Sequence, residues 1–255
     1  MISAPQAVTG ILSRNAGAVA GFIERYVLSF VYLFFAWTEF HDLAILSLDS
    51  RVFDGIPFIP AVKHMTLMLL QLFIGVFLMF NKRPAGQPRN LREVFVPLAA
   101  SFFFLTYNAL PHFPPSFREN LLPREMHTSF ATVALVLGVA GPAISVWGVL
   151  SLGRSFGIFV SVREIVMEGP YRYVRHPIYL GYVCIWTALL LLNVSMAIFI
   201  IVPIHLMLFV WRARLEESRL AESSAAYREY MKQTGFIFPR LRGGAKVEAQ
   251  VPKDR

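Results

Sequence analysis

One cysteine in 255 residues, Cys184, excludes an intramolecular disulfide and a cysteine-based metal cage. It lies in an apolar run, where a lone thiol reads as packing. Histidine is scarce as well. The six, at positions 41, 64, 112, 127, 176 and 205, include no pair three or four residues apart, which argues against a di-iron desaturase or hydroxylase, and no metal is expected. There is no P-loop and no Gly-x-Gly-x-x-Gly, so nucleotide hydrolysis and a soluble dinucleotide fold lose sequence support. No segment recurs as a copy of another, and transporter-like internal symmetry is not evident. The first 21 residues lack the apolar core and cleavage site of a secretory signal, so the first helix is expected to stay.

What the chain has in excess is apolar side chains, 56% of residues, more than a soluble core of this size needs. They gather in blocks at 27–48, 62–80, 94–110, 128–150 and 178–211. A crossing takes about 20 residues, so the first four blocks fit one helix each and the 34-residue fifth fits two, with Asn193 at the turn of a tight hairpin. The expected fold is all-α: a polytopic membrane bundle of about six spanning helices with a C-terminal helical hairpin. In that arrangement 20 of the 24 Lys and Arg fall on one side; the exceptions are Arg51, Lys63, Arg118 and Arg124. Positive residues stay on the cytoplasmic side, which puts both termini there. The net charge of +8 is then a topology and anionic-lipid signal, and no nucleic-acid partner is expected.

The loop 81–90 is a Pro/Gly-punctuated connector, and Pro111-His-Phe-Pro-Pro115 reads as an interfacial turn. The stretch 151–177 is long, polar and ends abruptly at helix five. There Gly169-Pro-Tyr-Arg-Tyr-Val-Arg-His-Pro-Ile-Tyr-Leu-Gly181 makes a turn and then starts a helix on Pro177, and the free N–H groups of that helix start favour a carboxylate or another polar ligand group. Tyr171, Tyr173 and Tyr179 could flank an adenine. The plainer reading is a juxtamembrane anchor, with Arg172 and Arg175 on headgroups and the tyrosines in the interfacial belt.

A second constellation, Arg212-Ala-Arg-Leu-Glu-Glu217, follows helix six, and the hairpin returns it to the depth of His176. One glutamate should face the shared pocket, because neighbours on a helix point about 100° apart. The other should face water or pair with Arg212 or Arg214. Arg212 and Glu216 are also an i,i+4 pair, which on an exposed face is worth only a few tenths of a kcal/mol. Residues 212–232 suit a helix continuing along the membrane surface.

With both motifs in view, the sequence resembles the isoprenylcysteine carboxyl methyltransferase family and its relatives, the phosphatidylethanolamine and phospholipid N-methyltransferases. The matching elements are Gly169-Pro-Tyr171, Arg175-His-Pro-x-Tyr179-x-Gly181, Arg212-x-x-x-Glu216-Glu217, and Tyr227-x-x-Tyr230 with Pro239 beyond. The resemblance covers roughly residues 128–240. It implies three parts: 1–127, three membrane helices not matched to the family; 128–240, the catalytic region; and 241–255, a tail expected to be disordered. It also implies an S-adenosylmethionine cofactor in a cytoplasm-facing pocket lined by Arg163, Glu164, Ile165, Val166, Tyr171, His176, Pro177, Ile178, Tyr179 and Glu216. Arg212 matches the arginine beside the acceptor, and His176 is the nearest base if an amine or thiol must lose a proton. The acceptor implied is a lipophilic small molecule or lipid. Between Glu217 and Tyr227 the chain is a residue shorter than the family spacing, and Ser223-Ser224-Ala225-Ala226 replaces Phe-Gly, which bears on the tail helix more than on the pocket.

Two other readings stand beside this one. A sterol-type membrane reductase using NADPH resembles the same region, but its usual Asn is Ile178 here; a transporter or scaffold could keep the fold without the activity. Glu39, His41 and Asp42 in the outer half of helix one mark either a helix end or an ionisable cluster facing the bundle. Gln71, Asn108 and His205 are expected to hydrogen-bond between helices, and Gly75, Gly138, Gly141 and Gly148 to permit close helix approach.

Overall fold

The computed structural model describes residues 18–48, 58–82 and 88–240. The connector at 83–87 and the tail expected to be disordered, 241–255, lie outside the described residues, as does the side chain of Asn108. The described chain is all-helical, without strands. A π-helical turn, Ile23–Leu28, leads into α1 (Ser29–Leu48), followed by α2 (Phe58–Met79), α3 (Arg92–Phe102), α4 (His127–Leu152), α5 (Pro177–Leu192), α6 (Met196–Ser223) and α7 (Ala225–Gln233). Among the described residues three helical stretches, Ala18–Ile45, Ser129–Ser155 and Met196–Ser223, are long and apolar enough to cross a membrane; Leu67–Met79 and Pro177–Leu192 are shorter apolar helices. Large apolar side chains cover their outer faces: Phe30, Phe34 and Trp37 on α1, Val133, Val136 and Trp147 on α4, Phe199, Met207 and Trp211 on α6. Water would oppose such a surface and lipid accepts it.

The bundle is α1 on α2, α2 on α4, α4 along α5, and α3 on α6. Glycine sets the closest of these approaches. A Cβ on Gly141 would lie 2.6 Å from the Gly181 carbonyl, one on Gly148 2.7 Å from Ile178, and one on Gly75 2.8 Å from Leu33. Gly138 has only ordinary contact, its nearest atom, Ala188 Cβ, being at 3.9 Å.

The third apolar block, 94–110, departs from a single α-helix. The α-helix ends at Phe102 (φ −114°, ψ 0°) and tightens into a 3-10 stretch, Phe103–His112. Two carbonyls of α3 find partners elsewhere. Pro97 cannot donate to Glu93 O, and Val160 N–H takes that acceptor at 3.2 Å. His205 Nε2 on α6 meets Ala100 O at 2.7 Å, the interhelical bond expected of that histidine. Gln71 differs from expectation: its Oε1 is buried with no partner among the described residues. Glu39 faces the bundle and pairs with His64 of α2 at 2.6 Å, whereas His41 and Asp42 are both 56% exposed.

Candidate functional site

Where α5 begins and α6 ends, the two motifs meet. Residues 193–195 turn the chain between the helices, with Asn193 capping α5 and Ser195 preceding α6, so the end of α6 returns to the start of α5. There Tyr179 donates its hydroxyl to Glu216 Oε1 at 2.8 Å, and Arg212 Nε donates to the same oxygen at 2.9 Å. Arg212 is 6% exposed, so the surface-pair reading fails. Its guanidinium also donates to Ser101 Oγ (2.9 Å) and Gly157 O (3.3 Å) and lies over the Tyr179 ring.

Neither glutamate is left to water. Glu217 is buried and accepts from Arg175 Nε at 2.5 Å, with His176 Nε2 at 3.2 Å from the same oxygen. Arg175, which the anchor reading would put on headgroups, instead joins Glu217 to the carbonyls of Met231 and Thr234. Arg172 and Tyr173 are exposed and keep the anchor role open to them. An ionised Glu217 beside two cationic or donor groups fixes His176 with its proton on Nε2, leaving Nδ1, 3.9 Å from Glu216, as the other ring nitrogen.

The tail completes this corner. Ser224 breaks α6 and caps α7 by accepting from Tyr227 N–H at 3.2 Å, so the continuation expected over 212–232 is two helices. Tyr227 and Tyr230 are buried, and the Tyr230 hydroxyl donates to Tyr171 O. Beyond α7, Val174 and Gly235 form a parallel bridge, with Arg175 N–H on Gly235 O (2.9 Å) and His176 N–H on Phe236 O (3.1 Å). The altered Ser-Ser-Ala-Ala sequence therefore still seats both tyrosines. Burial pushes the phenols up: Tyr230 to about 12 and Tyr171 well above its ordinary value, Glu216 adding to the latter.

These elements surround a cavity of about 1090 Å³, counting its open mouth. Arg163, Glu164, Ile165, Val166, Tyr171, His176, Ile178, Tyr179, Arg212 and Glu216 line it. Pro177 does not; it is fully buried at the helix start, close to Gly148. Glu164 stands at the surface, its carboxyl held below the ordinary range by the hydrogen bond and charge of Lys82. Sequence reasoning missed a second set of lining residues, Tyr32 of α1, Ile74 of α2 and Ser101 of α3. No motif surrounds them; the one signal was a hydroxyl, Ser101, within an apolar run.

Residues 133–222 match the model of the isoprenylcysteine carboxyl methyltransferase family. The match shows the resemblance read from the motifs and encompasses Arg163–Val166, the α5 start and the Arg212–Glu217 element. It makes the chain similar to a membrane methyltransferase. A search of curated proteins finds no match.

Proposed function

We propose that the chain transfers a methyl group from S-adenosylmethionine to a lipophilic acceptor at the cytoplasmic face of a membrane, which it crosses six times with both termini cytoplasmic. The observation that carries this reading is Glu216: a carboxylate, 24% exposed, that lines the cavity between Arg212 and Tyr179. The donor set fits such a cofactor. Glu216 offers an acceptor for an ammonium or for ribose hydroxyls, and the first N–H groups of α5, at Ile178 and Tyr179, have no intrahelical acceptor and suit a carboxylate. The buried Tyr171 stays neutral and presents a flat face to an adenine. When bound, S-adenosylmethionine supplies an electrophilic methyl on a sulfonium.

What remains for the protein is orientation and the exclusion of water. Arg212, anchored by Glu216, Ser101 and Gly157, is held where an acceptor carboxylate could be oriented. For an amine or thiol, His176 Nδ1 is the basic atom, because Nε2 is committed to Glu217. The cytoplasmic placement is supported by the 20 of 24 Lys and Arg on one side of a six-span arrangement.

Membranes carrying the full chain, incubated with methyl-labelled S-adenosylmethionine, should transfer label to an organic-extractable product. Glu216→Ala should lower that transfer by roughly a hundredfold or more, the scale of a lost orienting contact. Label transfer undiminished in the variant would refute the assignment of Glu216.

A further inference from the structure

Glu24 belongs to a part of the chain that neither motif reaches. It sits in the π-helical turn Ile23–Leu28, 2% exposed. A carboxylate so buried needs donors, and four converge on it. Oε1 accepts from the N–H groups of Ile158 and Phe159 (3.0 Å for the latter); Oε2 accepts from Arg163 Nη2 and from Asn81 Nδ2 at 3.2 Å. Three of the four donors come from one loop, residues 158–163, which forms a wall of the cavity.

Arg163 extends the same fastening. Its Nη1 donates to Phe156 O, so the loop closes on itself over Gly157, where any Cβ would strike the guanidinium. Its Nε is buried without a partner among the described residues. Removing Glu24 would strip two backbone N–H groups of their acceptor and Arg163 of its counter-charge, leaving the loop held at its neighbours by Arg212 on Gly157 O and by Val160 N–H on Glu93 O.

We propose that Glu24 is a positioning residue of the cofactor site: through Ile158, Phe159 and Arg163 it fixes the loop against which the cofactor packs. This rests on the methyltransferase reading above and assigns part of the site to the first helix, outside the region that matches the family.

The test is titration of the detergent-purified full chain with S-adenosylhomocysteine, with the ligand-free melting temperature and amide hydrogen exchange measured alongside. Glu24→Gln, which removes the counter-charge of Arg163 but keeps an acceptor, should weaken binding about tenfold or more, and Glu24→Ala, which removes both, should also raise exchange at Ile158 and Phe159. Arg163→Gln should weaken it similarly, and the double variant should be no weaker than either single, because the two act as one unit. A lower melting temperature with wild-type affinity would mean a purely structural role and overturn the proposal, as would a double variant that loses the product of the two single effects. Should Glu24→Gln not fold, the double variant, which removes both buried charges together, decides alone: wild-type affinity overturns the proposal. If the wild-type chain binds no S-adenosylhomocysteine, the methyltransferase reading falls and this inference with it; binding by wild type and by Glu24→Gln alike overturns only the inference.

Discussion

The cavity has two walls of different origin. One is built by the loop before α5, the start of α5 and the end of α6, and its polar residues pair among themselves: Glu216 with Arg212 and Tyr179, Glu217 with Arg175 and His176. The other is built by α1, α2 and α3, and polar residues on that side reach across to the first wall: Ser101 to Arg212 from the lining, and Glu24, behind it, to Arg163. The first wall can be recognised by its own spacing, and the second only by what it touches. A compact motif thus does not delimit a site, because the partners that hold its cations can come from helices with no motif of their own.

Breaking each wall should separate them. The largest effect belongs to the self-paired wall: Glu217→Ala leaves Arg175 without its buried counter-charge and should destabilise the fold by about 3–5 kcal/mol, read as a fall in melting temperature. Glu217→Gln, which keeps an acceptor, should cost less.

Alkali probes the same wall by another route. The Tyr230 phenol is raised from 10 to about 12 by burial, so its neutral form is the folded one. Its contribution is complete below pH 10, where folded and unfolded phenols are both protonated, and is lost as pH climbs from 10 through 12. Melting temperature should decline over that interval, and Tyr230→Phe should flatten the decline.

The cross-wall contact is smaller. Ser101→Ala removes one neutral hydroxyl from a guanidinium that keeps Glu216 and Gly157, and should cost about 1–2 kcal/mol. Lys82→Ala, at the exposed Lys82–Glu164 pair, should leave melting temperature within experimental error.

How much was legible follows from the same division. The hairpin turn at Asn193 and the meeting of His176 with the Glu216–Glu217 pair followed from block length and helix geometry, and ten of the eleven predicted site residues share the cavity. Both glutamates being paired was not legible, because Arg175 is separated from Glu217 by 42 residues and nothing local marks it as buried. The shift of α3 into a 3-10 stretch was likewise hidden: apolar composition fits either helix, and the partners that satisfy the displaced carbonyls, Val160 and His205, come from distant segments. Glu24 carried no signal beyond being an acid beside an apolar run.

Thermal stabilisation of the detergent-purified chain by S-adenosylmethionine, S-adenosylhomocysteine and NADPH in parallel, for wild type and Glu216→Ala, tests the central claim most directly. A ligand at 100 times its dissociation constant stabilises by about 2.7 kcal/mol. The methyltransferase account predicts a rise in melting temperature with both adenosyl compounds, lost in Glu216→Ala, and none with NADPH. Stabilisation by NADPH alone, or by none of the three, would contradict it.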